Sequence, residues 1–186
     1  MAFLVRAFAL LAVLTLVPRV CAQRASAQET IEAEVKAAFL YHFTKYVDWP
    51  SSVFQDAEDP FRMCVVGTPA FVATLESLVN GETARARPIQ VVVPPPTQFN
   101  HCHMLFVGAQ DAQLVGSAVQ AVATRPVLTV VESPALFDQG SAILLAVDNG
   151  RVRFDISMAA FQRAGLGVSA KLLRVARQVV EGAPVR

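Results

Sequence analysis

The sequence contains few charged residues and almost no excess of one sign. Charged side chains make up 17% of the 186 residues, and 16 Lys and Arg against 15 Asp and Glu leave a formal net charge of +1. Proteins that bind nucleic acids need a basic stripe that displaces counterions from the phosphates, so we predict no nucleic-acid partner. Hydrophobic residues make up 54% of the chain, which excludes a disordered protein and can fill a core without a cofactor.

The chain also lacks an apolar run long enough to cross a membrane. The main candidate, residues 7–17, has 11 residues, whereas a spanning helix needs about 20. One arginine precedes this run, and two small-residue cleavage patterns follow it, ending at Ala22 and Ala27. This arrangement is typical of a secretory signal peptide. We predict an exported protein with a signal peptide over 1–27 and a single domain over 28–186.

Cysteine is scarce, and one of the three, Cys21, lies inside the predicted signal peptide. Cys64 and Cys102 remain, an even pair in an oxidising compartment, so a disulfide between them is the default expectation. A metal site is the alternative, because His101, Cys102, His103 and Cys64 carry donors that zinc and copper favour. We predict the disulfide and no metal, since successive side chains at the start of a strand point to opposite faces.

Hydrophobic periodicity predicts one long helix near the start of the mature chain. Between Ile31 and Asp48, apolar residues recur at four-residue intervals, as on one face of a helix. These residues are Val35, Phe39, Phe43 and Val47. The Trp49-Pro50 step ends the helix, because the residue before a proline avoids the helical region.

From residue 61 onward, short apolar runs rich in valine alternate with helical stretches. The predicted strands are Phe61–Val66, Ile89–Val93, His103–Val107 and Val127–Val131, and the predicted helices are Ala70–Val79 and Ala112–Ala123. Strands that are apolar on both faces indicate a parallel sheet covered by helices. We therefore predict an α/β fold, a three-layer sandwich with a mostly parallel sheet and flanking helices.

An antiparallel hairpin is predicted at the C-terminal edge of this sheet. Asn-Gly at 149–150, a strong hairpin signal, separates Ala142–Val147 from Arg151–Ile156. In the second arm Arg151, Arg153 and Asp155 alternate with apolar residues, so we expect these three side chains to be solvated.

Two short helices, Met158–Arg163 and Ser169–Val179, complete the predicted fold. The glycine-containing string between them fits a dinucleotide-binding fingerprint in its spacing. That fingerprint follows a strand, whereas a helix precedes Gly165, so we interpret Gly165 as a helix C-cap.

Four residues are candidates for binding a partner. Tyr46 and Trp49 belong to an aromatic cluster at the end of the first predicted helix, and aromatic residues dominate binding hot spots. Arg151 and Arg153 lie on the predicted solvated face of the hairpin. The alternatives are that the aromatic cluster belongs to the core and that the arginines protect an exposed sheet edge.

Several segments together resemble the YfiR-like family of periplasmic proteins. The segments that carry the resemblance are Lys36–Phe43, Lys45-Tyr46, Trp49-Pro50, Phe61–Gly67, Cys102-His103, Gly150–Ile156, Ala164–Leu166, Ser169 and Lys171–Ala176. They span nearly the whole mature chain in the expected order.

The resemblance implies a periplasmic, non-enzymatic protein without a cofactor. Such a protein binds the periplasmic region of an inner-membrane diguanylate cyclase of the YfiN type and represses it, which lowers cyclic di-GMP and biofilm formation. The disulfide that the resemblance implies coincides with Cys64 and Cys102.

Two other functions are compatible with the sequence. The first is a sensor that binds a small ligand in a crevice at the carboxyl ends of the parallel strands and acts on another membrane partner. The second is an exported enzyme that uses His101 or His103. A homodimer and a small-molecule signal are also compatible with the sequence, which does not identify the surface or the signal.

Overall fold

The computed structural model describes residues 28–95 and 98–181; the predicted signal peptide, residues 1–27, lies outside them. The helices are α1 (28–46), α2 (Pro69–Val79), α3 (Ala112–Val122), α4 (Pro134–Asp138), α5 (Met158–Ala164) and α6 (Ala170–Val175). The strands are β1 (Val47–Asp48), β2 (Phe61–Val66), β3 (Thr83–Ala84), β4 (Arg87–Val92), β5 (Met104–Val107), β6 (Leu128–Val131), β7 (Ile143–Asp148), β8 (Arg151–Ser157), β9 (Gly167–Val168) and β10 (Gln178–Val180). Short 3-10 helices cover Ser51–Val53 and Ala109–Asp111.

Eight of these strands form one sheet in the order β10-β8-β7-β6-β5-β2-β4-β3. The central strands β7, β6, β5, β2 and β4 run parallel to one another. At the two ends, β8 and β3 are antiparallel to their inner neighbours, and β10 is parallel to β8. The predicted α/β class with a mostly parallel sheet and a C-terminal antiparallel hairpin is confirmed.

Helices cover both faces of the sheet, because the side chains of each central strand alternate between two cores. In β5, Met104 and Phe106 join the core formed with α1, α2, α5 and α6, whereas Leu105 and Val107 join the core formed with α3 and α4. Strands buried on both faces explain the continuous apolar runs in the sequence.

Helix α1 ends at residue 46, two residues before the predicted end. Val47 and Asp48 instead pair with Val168 and Gly167 in a second, two-stranded antiparallel sheet. A Cβ atom at Gly167 would lie 3.0 Å from the Asp48 Cβ, so this close approach favours glycine. Gly165 ends α5 in the left-handed conformation, with φ 65°. Both glycines are therefore explained by the backbone, and the C-cap interpretation is confirmed.

The buried face of α1 also differs from the prediction. Leu40 and Phe43 are fully buried, as predicted for Phe43, but Val35 is 38% exposed. Phe39 is partly buried and contacts Phe154 edge to face. The sheet therefore contacts a face of α1 that is rotated from the predicted stripe and runs through Ala37, Leu40 and Phe43.

The C-terminal prediction was wrong in one element. The last helix, α6, ends at Val175, and β10 follows it where a helix to residue 179 was expected. This strand pairs with β8 and buries a residue that the alternation placed in solvent. Asp155 is 3% exposed, and its carboxylate accepts hydrogen bonds from Nε and NH2 of Arg177, at 2.8 Å for Nε. The face of β8 that carries Asp155 is therefore buried, because Arg177 and β10 fold back against this strand.

Candidate functional site

The order of the sheet creates a crevice at the carboxyl ends of its central strands. From β2 the chain passes to β4 on one side and then returns to β5 on the other side. The loops after β2 and β5 therefore leave in opposite directions, which is the position where open α/β sheets bind ligands. A cavity of about 310 Å³ lies here, lined by Gly67 and Thr68 after β2, Gly108 to Asp111 after β5, and Glu132 after β6.

The first turns of α1 close one side of this crevice, and Lys36 ties them to the sheet. The Lys36 Nζ atom lies 2.5 Å from Glu32 Oε1 and 2.5 Å from Glu132 Oε1. The other oxygen of Glu132 accepts a hydrogen bond of 3.0 Å from the backbone N–H of Ala109. Lys36 and Glu132 thus join α1, the end of β6 and the loop after β5.

The side chains of this cluster are largely shielded from water. The side chain of Lys36 is 14% exposed and that of Glu132 is 15% exposed. Burial lowers the pKa of Lys36, but the hydrogen bonds and charges of Glu132 and Glu32 outweigh it, so the pKa is raised. Lys36 therefore carries its charge at every physiological pH.

The floor of the crevice is aromatic. Phe71 of α2 and Phe106 of β5 place their ring centroids 4.7 Å apart. The crevice is lined by four carboxylates, those of Glu29, Glu32, Asp111 and Glu132, and by one ammonium group. Its formal charge is therefore 1 minus 4, or −3. An apolar floor with a negative rim suits a small ligand that has an apolar body and a cationic group.

His103 lies at the opposite end of the sheet, where β2 and β5 begin. It is 3% exposed, and its ring stacks on Phe54 with centroids 4.5 Å apart and lies 5.3 Å from the ring of Phe61. Its Nδ1 accepts a hydrogen bond of 2.9 Å from the backbone N–H of Arg62. Nε2 lies 3.4 Å from the carbonyl oxygen of Val53, so the neutral tautomer with hydrogen on Nε2 fits both contacts.

The predicted disulfide between Cys64 and Cys102 is present, with its Cα atoms 5.7 Å apart. It joins the middle of β2 to the segment just before β5, and both cysteines are buried. The neighbouring His101 is exposed, whereas His103 is buried. Within residues 28–95 and 98–181, no three His, Cys, Asp or Glu side chains are grouped as metal ligands would be.

The four predicted partner-binding residues do not come together. Trp49 is 9% exposed, its Nε1–H donates a hydrogen bond of 2.9 Å to the carbonyl oxygen of His103, and its ring contacts Phe61 edge to face. Tyr46 is partly buried against the same core. Arg151 and Arg153 are exposed.

The alternation of β8 decides how the arginines are oriented. Phe154 contacts Phe39 and Phe43 of α1, so Arg153 and Arg151 project from the face of the sheet opposite to α1. Tyr46 and the two arginines are therefore on different faces of the molecule, and Trp49 belongs to the core.

Lys36, Glu132 and Asp111 were not predicted from the sequence as residues of one site. The available signal was a charged residue directly after a strand that is apolar on both faces, as Glu132 follows Val127–Val131. In a parallel sheet such a residue lies at the carboxyl edge, where sites form. Lys36 was missed because nothing in the local pattern shows that α1 passes over this edge.

The fold and the site define a disulfide-braced α/β domain of the open, doubly wound class, with a crevice at its switch point. The chain belongs to the YfiR/HmsC-like family, whose sequence model matches residues 33–177. The match begins in α1 and ends at Arg177, the residue that pairs with Asp155. The family resemblance predicted from the sequence is confirmed.

Membership places the chain in a periplasmic family that is regulatory rather than catalytic and is associated with diguanylate cyclases and a membrane signalling partner. Within the described part of the chain, no helix has both the length and the apolar character needed to span a bilayer.

Proposed function

We propose that this chain is a non-enzymatic periplasmic repressor that binds the periplasmic region of an inner-membrane diguanylate cyclase. Binding holds the cyclase inactive, which lowers cyclic di-GMP and biofilm formation. The observation that carries this proposal is the family match over residues 33–177, which takes in both cores and the disulfide. An N-terminal signal peptide over residues 1–27 delivers the protein to the periplasm.

Repression of this kind needs only a difference in affinity. The regulator must bind the inactive form of the cyclase more tightly than the active form, and coupling energies of about 1–3 kcal/mol are typical. A signal that weakens the regulator then releases the cyclase without any chemistry on the regulator itself.

The hairpin face of β7 and β8 is the partner surface that we propose. Arg151 and Arg153 project there, across from Asp148 and Ala146 in the strand register. Two neighbouring exposed cations suit a partner segment that carries carboxylates. Tyr46 is a separate contact on the other face, and Trp49 belongs to the core.

We expect the double variant Arg151→Glu with Arg153→Glu to bind the purified periplasmic region of the cyclase at least about tenfold more weakly, or about 1.4 kcal/mol. Calorimetric titration of the oxidised protein measures this affinity. Arg174→Glu, at an exposed position of α6, is the matched control and retains wild-type affinity. Unchanged affinity of a folded double variant would show that the hairpin is not part of the interface. Absence of binding by the wild-type protein would contradict the proposed repressor function.

A second candidate function is a periplasmic sensor of a small ligand that acts on another membrane partner. The crevice beside Lys36 favours it, since it has the location, the size and the aromatic floor of a ligand site. This function and repression are compatible if the small ligand is the signal.

For the second candidate we expect n-butylamine or choline at millimolar concentration to raise the melting temperature, while butyrate does not, because the crevice has a negative rim. Differential scanning fluorimetry measures the shift. Asp111→Asn removes one carboxylate of the rim and should reduce the response, whereas Glu76→Gln on the exposed side of α2 should leave it intact. Equal responses to the amines and to butyrate would contradict a cation-selective crevice.

A further inference from the structure

The segment over residues 49–59 connects β1 to β2 and is held against the sheet at two places. Arg87 of β4 donates hydrogen bonds to the carbonyl oxygens of Asp56, Ala57 and Asp59, whereas the contacts of the 49–55 part converge on His103. The Val53 carbonyl oxygen lies 3.4 Å from Nε2 of His103, and the ring of Phe54 stacks on the imidazole. Trp49 donates its indole N–H to the carbonyl oxygen of the same residue.

We propose that His103 is an acid-sensitive latch, which holds residues 49–55 against the sheet while its imidazole is neutral and releases them when the imidazole is protonated. The proposal rests on this chain alone and does not depend on the identity of the partner or on the crevice at the opposite edge of the sheet.

The hydrogen bonds explain why a proton cannot be accommodated. Nδ1 of His103 accepts from the backbone N–H of Arg62 at 2.9 Å. A proton on Nδ1 would place two N–H donors against each other, so this hydrogen bond would be lost and the Arg62 N–H would be left unpaired. The backbone of β2 cannot move to accommodate this, since Arg62 is paired with Gln90 of β4. The imidazole must therefore leave its position, together with Val53 and Phe54, which pack on it.

The charged groups around the imidazole have opposing effects on its protonation. Arg62 lies beside it, and the guanidinium of Arg87 lies 4.0 Å from the centroid of the Phe54 ring that stacks on His103. The nearby carboxylate is that of Asp59, which is itself engaged by the Arg62 side chain and by the backbone N–H of Gln55. Two neighbouring cations and one already paired anion give a positive charge on the imidazole little stabilisation.

The pKa of His103 is accordingly lowered from its ordinary value of 6.5. Burial of the ring is the largest cause, and Arg62 and Arg87 lower the pKa further, while the Val53 carbonyl and Asp59 oppose them. Since the unfolded or opened chain binds the proton more readily, the closed form is favoured above about pH 6.5 and loses stability as the pH falls through the lowered pKa. A cavity of about 280 Å³ bordered by Val53, Asp59, Arg62 and His103 lets water reach the latch.

Two reporters in the full protein test the latch. The chain has one tryptophan, Trp49, and three histidines, of which His42 and His101 are exposed. We expect the imidazole resonances of His103 to titrate below pH 6.5 in NMR spectra, with the disulfide intact. The emission of Trp49 and the corrected exchange rate of its indole N–H should change with the same midpoint. Exchange should accelerate about tenfold for each unit by which the pKa of His103 lies below 6.5.

A conservative variant separates the latch from general acid effects. In His103→Asn the side-chain carbonyl can still accept from the Arg62 N–H, but the residue does not titrate, so the acid response of Trp49 should disappear. His42→Asn and His101→Asn are matched controls that should retain the response. A Trp49 signal that stays flat while His103 titrates would overturn the proposal, as would an unchanged acid response in His103→Asn. If His103→Asn fails to fold, the wild-type protein decides the question. Equal midpoints for the His103 titration and the Trp49 signals would support the latch, and different midpoints would contradict it.

Discussion

Replacing Cys64 and Cys102 together by alanine should lower the free energy of unfolding by about 4 kcal/mol. The disulfide joins residues 38 positions apart, and closing a loop of this length removes that much conformational entropy from the unfolded chain in the entropic model. For a domain of this size the melting temperature should fall by roughly 10 °C. Thermal unfolding followed by circular dichroism measures both quantities.

The same pair of cysteines supplies its own control. Adding a reductant that opens the disulfide should destabilise the wild-type protein and leave the double alanine variant unchanged. A wild-type melting temperature that does not change after verified reduction would contradict a stabilising role for the disulfide.

This prediction connects stability to the proposed function. Natural domains are stable by only about 5–15 kcal/mol, so loss of about 4 kcal/mol increases the unfolded fraction that periplasmic proteases attack. If this chain represses the cyclase as proposed, Cys64→Ser or Cys102→Ser should also derepress the cyclase. Calorimetric titration with the cyclase region before and after reduction separates two hypotheses. Weaker binding after reduction would support a repressor under redox control, whereas equal binding in both states would support a repressor without redox control.

Arg177→Met should be the second most harmful change, at about 2–3 kcal/mol, because it leaves the carboxylate of Asp155 buried without its counter-charge. The Asp155 side chain is 5% exposed, whereas that of Arg177 is 35% exposed. We therefore expect a loss below the full cost of breaking a deeply buried pair. The guanidinium makes two hydrogen bonds to this carboxylate, and the backbone N–H of Arg177 bonds to the Phe154 carbonyl. Loss of the pair should detach β10 from β8, which hydrogen exchange of residues 178–180 would report.

Two further variants test whether the buried charge is the cause. Adding Asp155→Asn to Arg177→Met removes the charge and should recover a large part of the lost stability. Arg174→Met removes a cation from an exposed position three residues earlier and should change stability by less than about 0.5 kcal/mol. Equal losses in Arg174→Met and Arg177→Met would show that the ion pair with Asp155 contributes nothing specific.

Local patterns in the sequence predicted most of the secondary structure, and the misses share one cause. The strand predicted at Phe61–Val66 has the observed bounds, because a short apolar run is typical of a strand that is buried on both faces. Residues 178 and 179 were predicted as the end of a helix, and they belong to strand β10 because β8 pairs with them. Val47 and Asp48 leave α1 for the same reason, since β9 pairs with them. A pairing partner distant in sequence overrides local helical propensity.

The candidate sites also differ in how far local sequence predicted them. Cysteine count and spacing predicted the disulfide, because only one pairing remains after the predicted signal peptide is removed. A crevice at the carboxyl ends of the parallel strands was expected as an alternative, but its lining residues could not be predicted, because they come from four separate parts of the chain, within 29–36, 67–71, 106–111 and at 132. Trp49 was a candidate for binding a partner because aromatic residues dominate binding hot spots, with the core as the alternative. The aromatic ring of Phe61 and the carbonyl of His103 place it in the core.

The sequence by itself determined the α/β class, the doubly buried strands, the hairpin and the cysteine pair, because each depends on residue type and on spacing along a short stretch of chain. Only the tertiary structure decided that β4 and β5 lie on opposite sides of β2, that Lys36 reaches Glu132, and that a later segment buries Asp155. These features depend on which strands pair. Strand pairing is set by the burial of the whole sheet between two helical layers, to which every element contributes and which no single segment encodes.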